Sequence, residues 1–185
     1  ARTKDNFIFR IGDPSLILFD VDADDSPRST NIHSPAELVD IIETILPSSS
    51  NAAYMAMASA SSGIMNADTN ELLTSNCGFH IYFVAQDSSD IPRFIETLFK
   101  KLVLEGFGHI KVSRSGSQLL RTVIDGAIKS PERLDYVAPA VISDGLSRQT
   151  IDPTLRPGGM LDTVVLKNLT PEEERSYADL VKQLK

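Results

Sequence analysis

Asp20 and Asp22 are the residues of this chain whose type and spacing most plainly suggest chemistry. They close the apolar run Leu16-Ile17-Leu18-Phe19-Asp20-Val21-Asp22. Such a run predicts a buried strand that delivers carboxylates at its C-terminal end. Residues two apart on a strand point to the same face, so the two acids stand side by side, roughly 7 Å apart along the backbone. Two carboxylates so placed repel and raise one another's pKa unless something cancels the charge. A hard divalent cation with oxygen ligands cancels it well. A solvated strand end, where the chain simply returns to water, leaves the same pattern.

The elements that must position these acids can be read on either side. Phe7 to Ile11 predicts a short strand and Gly12-Asp13-Pro14 a turn before the Leu16–Asp22 strand. Residues 23 to 33 are polar and irregular. Ser34-Pro35-Ala36-Glu37 is a capping box with Pro at the first helical position. The helix it opens runs to about Leu46, with Leu38, Ile41, Ile42 and Ile45 on one face. Ala53 to Ala60 predicts a third strand, and Phe79 to Val84 a fourth on which His80 and Tyr82 share a face. Asp90 to Glu105 predicts a helix with Ile91, Phe94, Ile95, Leu98 and Leu102 inward and Gly106 as its stop. His109–Ser113 and Leu119–Asp125 read as two strands joined through Ser115-Gly116-Ser117. Residues 130–160 read as irregular, with a short helix near Ser130–Leu134. Thr170-Pro171-Glu172-Glu173 is a second capping box, opening a helix that is acidic first and basic last, as the helix dipole favours. The fold class expected is α+β, a mostly antiparallel sheet with packed helices. The expected organisation is one domain over 1–169 and a C-terminal helix over 170–185, which either docks on the domain or leads to another.

Composition bounds the reading. The chain has 185 residues, 42% hydrophobic and 23% charged, enough for one domain with a real core. No stretch approaches the roughly 18 apolar residues of a membrane span. Ala1-Arg2-Thr3-Lys4 shows neither an initiator Met nor an apolar signal region and reads as the start of an excised fragment. A single Cys, Cys77, precludes an intrachain disulfide and suits a reducing cytoplasm. Cys77 and His80 have a C-x-x-H spacing, but without a second pair they make a poor zinc site. The formal charge of −7 argues against a generic nucleic-acid coat protein, though not against an enzyme with a local basic groove. There is no P-loop, so the chain is not itself a helicase motor.

Three segments stand out as a set: Asp20-Val21-Asp22, then Ser75-Asn76-Cys77-Gly78-Phe79-His80 entering a strand, then Val123-Ile124-Asp125. In order and spacing they resemble the three motifs of the archaeo-eukaryotic primase superfamily, the primase-polymerases. The resemblance covers roughly residues 6 to 145. Leu120-Arg121-Thr122-Val123-Ile124-Asp125 followed by Ser130-Pro131-Glu132-Arg133-Leu134-Asp135 resembles the branch found in replication proteins of plasmids, phages and mobile elements. Members of that branch often carry a helicase domain after the primase domain.

The resemblance implies an RRM-like catalytic core that performs template-directed nucleotidyl transfer in DNA replication. It implies Asp20, Asp22 and Asp125 as catalytic metal ligands for Mg²⁺ or Mn²⁺. It implies His80 on the triphosphate, half-exposed in the cleft, with Ser75 and the Gly78 backbone along the phosphate path. Arg121, like Lys111 and Arg114, is a candidate phosphate contact or an ordinary solvated cation. Ser59, Ser61, Ser62 and Gly63 are small enough to approach a nucleotide and equally suit a plain loop. The implied partners are nucleoside triphosphates, a single-stranded or primed DNA template and a helicase domain or protein, with no membrane. The accessory zinc or helical element that often aids primer initiation is not evident, which bears on de novo priming more than on nucleotide binding.

Two other classes stay open. Haloacid-dehalogenase-type phosphatases also end a strand in Asp-x-Asp, but they want Thr or Val at position 24, where this chain has Asp24. Glycosyltransferases use Asp-x-Asp too, normally in a longer chain. The second class is a non-catalytic replication module that binds nucleic acid or a partner. Three buried acids without metal would destabilise such a module. The choice between dNTP and NTP, and between priming and extension, stays open.

Overall fold

The structure, a computed structural model, describes residues 6–21, 32–74, 78–138 and 140–185. Asp22 and Ser75 therefore lie outside the described residues. The principal sheet contains β1 (Ser15–Val21), β4 (Phe79–Ala85), β2 (Tyr54–Ala58) and β8 (Thr154–Arg156), in the order β1-β4-β2-β8 with every neighbour antiparallel. Two small antiparallel pairs accompany it. One joins β3 (Ile64–Asn66) to β7 (Leu146–Arg148); the other is the hairpin β5 (His109–Val112) and β6 (Gln118–Arg121). Three α-helices are described: α1 (Pro35–Ile45), α2 (Ile91–Leu102) and α3 (Pro171–Leu184). The expected α+β class with an antiparallel sheet is what the structure shows.

The sheet's two faces follow from the period-two alternation of its strands. Ile17, Phe19 and Val21 of β1, Phe79, Ile81, Phe83 and Ala85 of β4, and Ala56 of β2 are buried in one apolar cluster. That cluster also takes Leu38, Val39 and Ile42 from α1 and Ile91, Phe94, Ile95, Leu98 and Leu102 from α2. The helical residues recur at the spacing of one helix face, so each helix lays a single stripe on the sheet. Phe19 and Phe83 meet edge to face, centroids 5.7 Å apart, a pair worth about 1 kcal/mol beyond its buried area. The alternate residues Leu18, Asp20, His80, Tyr82 and Met57 stand on the opposite face.

Helix starts match their sequence signals. Ser34 Oγ accepts the Glu37 amide, while the Glu37 carboxylate reaches back to the His33 amide. At α3 the capping box is complete, with Thr170 and Glu173 exchanging side-chain to backbone bonds. The last helix docks by charge, through Lys100–Glu174 at 2.8 Å and Lys101–Glu173 at 3.1 Å, and buries no residue of its own.

Several expectations need correction. Phe7–Ile11 is not a strand: among the described residues no sheet neighbour pairs it, and Ile8 and Ile11 are exposed. Instead the arm is tied to the start of α2, with the Ser88 hydroxyl donating to the Arg10 carbonyl and Gly12 N–H donating to Asp87. The α2 helix ends at Leu102 and passes through one π turn, Val103–Phe107, in which Gly106 at φ 88° makes the reversal. The strand expected over Leu119–Asp125 stops at Arg121, and the short helix sits at Gly126–Lys129 as a 3₁₀ turn, not near Ser130–Leu134. The stretch 130–160 is not wholly irregular, since β7 and β8 lie in it.

The β8 strand has three residues and no periodic signal; its neighbours make it a strand. Arg156 reaches the Glu43 carboxylate and the Ala52 and Ser49 carbonyls, with its guanidinium 4.5 Å over the Tyr54 ring. Beyond it the chain turns inward so closely that a Cβ on Gly158 would lie 2.5 Å from the Asn51 carbonyl oxygen. Only glycine fits that approach. The strap then binds both central strands: Ala53 N–H donates to Gly159 O, Leu161 N–H to Val84 O and Gln86 N–H to Leu161 O.

Candidate functional site

Register places the first two motifs together. Asp20 is the direct cross-strand partner of His80 in the β1–β4 ladder, and Met57 of β2 faces His80 from the other side. His80 Nε2 lies 3.3 Å from Asp20 Oδ1. The other ring nitrogen, Nδ1, lies 3.1 Å from Asp135 Oδ1 and 3.1 Å from the Tyr82 hydroxyl. That hydroxyl donates to Asp135 Oδ2 at 2.5 Å. Burial and the Asp135 hydrogen bond, then the charges of Asp135 and Asp20, push the Tyr82 phenol well above the ordinary tyrosine range.

Counting donors assigns the protons. A phenol has one proton and a carboxylate has none, so the Tyr82 proton goes to Asp135 and the phenol oxygen can only accept from His80. Nδ1 therefore carries hydrogen. Asp135 Oδ1, although 3.1 Å from Nδ1, accepts no hydrogen bond, so Asp135 reaches the ring through the Tyr82 hydroxyl.

His80 is 8% exposed, so the half-exposed His expected from the sequence is instead a buried one with both nitrogens engaged. Asp20 is less enclosed, its side chain 30% exposed at the sheet's end. Gly78 is where the sequence placed it, entering β4, but its carbonyl already accepts the Ser59 amide and the Ser62 hydroxyl. A Cβ there would come within 3.0 Å of both Val21 O and Ser59 Oγ, so this glycine permits close packing of the strand ends. The serine loop is structural: Ser62 is buried and Arg148 donates to the Ser59 and Ser62 carbonyls.

Asp125 is organised differently. It caps the 3₁₀ turn through the Ala127 amide, and its oxygens face Arg121 at 3.4 Å and Arg133 at 3.2 Å. Arg121 thus has a carboxylate partner while its side chain stays 41% exposed. Among the described residues, no three His, Cys, Asp or Glu side chains form a group that could hold a metal ion. Asp20 is partly open and has the His80 imidazole beside it, whereas Asp125 already faces two guanidinium groups. The argument that metal-free acids would destabilise a non-catalytic module loses force for these two, since each is partly exposed and Asp125 has two guanidinium partners.

Sequence reasoning missed Asp135 and Tyr82 as members of the site. Tyr82 was legible as sharing a face with His80. Asp135 was not, because it arrives 53 positions beyond Tyr82 from a segment without regular structure. No helix of the described residues is long and apolar enough to cross a membrane. Comparison with family models, with characterised proteins and with solved structures finds no match to this chain.

Proposed function

We propose that this chain is an RRM-like primase-polymerase catalytic domain that performs metal-dependent, template-directed nucleotidyl transfer in DNA replication. The observation that carries the reading is the Asp20–His80 cross-strand pair on the sheet face opposite the helices, 3.3 Å apart at their tips. One part of the topology supports the reading: α1 connects β1 to β2 while β4 lies between them, a split arrangement with helices on one sheet face.

In this reading Asp20, Asp22 and Asp125 would hold Mg²⁺ or Mn²⁺ through their carboxylate oxygens. A bound divalent cation supplies charge stabilisation at the reacting phosphate. His80, protonated on both nitrogens beside a triphosphate, would donate Nε2–H to an anionic phosphate oxygen. Arg121 and Arg133, freed from Asp125, become available to phosphates of nucleotide or template.

The test is incorporation of labelled dNTPs and NTPs at low salt, with Mg²⁺ or Mn²⁺, on free and pre-primed single-stranded templates. Asp20→Asn with Asp22→Asn should abolish it, since neutral amides keep the shape and remove the charge that holds the metal. Metal-dependent extension that survives the double change would show that these carboxylates are not the site. A folded protein that neither incorporates nor binds nucleotide favours the second reading, a non-catalytic replication module. That reading draws on the same ion pairs, which satisfy Asp20 and Asp125 without metal.

A further inference from the structure

We propose that Asp135 and Tyr82 are positioning residues for His80, holding its ring so that Nε2 is the nitrogen presented to the cleft; the claim rests on the reading of His80 as the nucleotide contact. Asp135 reaches His80 through Tyr82: its Oδ2 accepts the Tyr82 hydroxyl at 2.5 Å, while its Oδ1 lies 3.1 Å from His80 Nδ1 without accepting a hydrogen bond. Tyr82 closes the triangle, its hydroxyl 3.1 Å from the same Nδ1. The two rings stand edge to face at 78°. His80 and Tyr82 are buried at 8% and 7% exposure, so water does not compete freely for Nδ1.

An imidazole whose Nδ1–H is held by one acceptor, here the Tyr82 oxygen that Asp135 orients by taking its proton, has its tautomer and ring plane fixed with it. A His80 without that anchor can turn about its side-chain torsions, present either nitrogen, and lose the hydrogen to the wrong side. Asp135 also comes from a segment whose neighbours Leu134, Tyr136 and Val137 are exposed, so the carboxylate is the part of this loop that enters the sheet face. A competing role is therefore plain tethering of the loop, and the experiment must separate the two.

Histidine ¹⁵N NMR of the full chain reads the anchor without any activity. The chain has three histidines, and His80→Gln assigns the signal of interest. The wild type should show a protonated, slowly exchanging Nδ1, and Asp135→Ala should replace it with an averaged pattern. Kinetics supply the second arm, on a primed template with Mg²⁺. Asp135→Ala should lower kcat about tenfold to hundredfold, with KM for nucleotide changed less than about threefold. Tyr82→Phe, which removes the oxygen that holds Nδ1, should do the same to a similar degree, and Asp135→Glu should recover part of the Asp135→Ala loss. In a His80→Gln background, Asp135→Ala should cost less than about twofold more, because residues that act as a unit are not additive. The full loss recurring in that background, or an Nδ1 signal unchanged by Asp135→Ala, overturns the proposal. Where Asp135→Ala does not fold, Asp135→Asn and Tyr82→Phe carry the same two arms. If no variant, nor the wild type, incorporates nucleotide, the catalytic reading fails and the NMR result still decides the positioning.

Discussion

The two faces of one sheet divide the labour in this protein. On β4, Ile81 and Phe83 face the helices and His80 and Tyr82 face away, although they alternate along a single strand. The helical face is dry and apolar, and its contacts are nondirectional. The other face carries directional polar contacts, Asp20 beside His80 and hydrogen bonds from His80 through Tyr82 to Asp135. Substitution on the first should change how much protein is folded; substitution on the second should change what the folded protein does. The pleat alone brings the two classes of residue within one residue of each other.

The sharpest test of that division sets Phe83→Ala beside Asp20→Asn. Phe83 is fully buried against Phe19 and Tyr54, and its truncation should cost about 3–5 kcal/mol in denaturant unfolding. The rate per folded molecule should stay within about threefold. Asp20→Asn should lower incorporation at least about a hundredfold, some 2.7 kcal/mol, and leave the unfolding midpoint nearly unchanged. A Phe83→Ala protein that is stable but inactive would break the division.

A second test asks on which side Asp125 belongs. As a metal ligand, Asp125→Asn should cost about as much activity as Asp20→Asn. Arg133→Ala, which removes a half-exposed partner, should change stability by less than about 1 kcal/mol. Full activity in Asp125→Asn would assign this carboxylate to the arginine clamp and leave the cleft to Asp20, Asp22 and His80.

The smallest expected effect lies on neither face. Asp90 accepts bonds from Arg93 and Thr163 and ties the C-terminal strap to α2, while Arg93 also binds the Thr163 and Leu166 carbonyls. The hydrogen bond from Arg93 holds the Asp90 carboxyl below the usual aspartate range, ahead of the opposing effect of burial. Between the folded and unfolded pKa values the unfolded chain binds more protons, so stability rises with pH there. The contribution is complete above the ordinary carboxylate range and lost as pH falls through the folded value. Asp90→Asn should flatten this acid limb and lower Tm near neutrality by about 2–4 °C, for an interaction near 1 kcal/mol. An unchanged acid limb would place the titrating group elsewhere.

The first half of the fold was legible because it is periodic. The five inward residues of α2 were all assigned and all are buried, and both β1 and β4 fall where apolar runs end in polar residues. The Asp20–His80 pairing needed a register, which the sequence does not print but the motif order implies. The second half was poorly legible for a physical reason. The β8 strand and the strap at Gly158–Leu161 have no face of their own and take structure only from the strand they lie against. Asp135 belongs to the same class, since its partners are fixed by where a loop returns and not by spacing.

The late arrival of that strap has a consequence for synthesis. The β1, β2 and β4 strands are complete once Ala85 has emerged, but β2 keeps an unpaired edge until Thr154–Arg156 follow, and the bonds to Ala53 and Val84 wait for Gly159 and Leu161. Through that interval the nascent chain displays Tyr54-Met55-Ala56-Met57-Ala58 as an open edge able to pair with another chain. A chain stalled before residue 154 is thus the aggregation-prone species, and pausing after residue 161 is harmless by comparison.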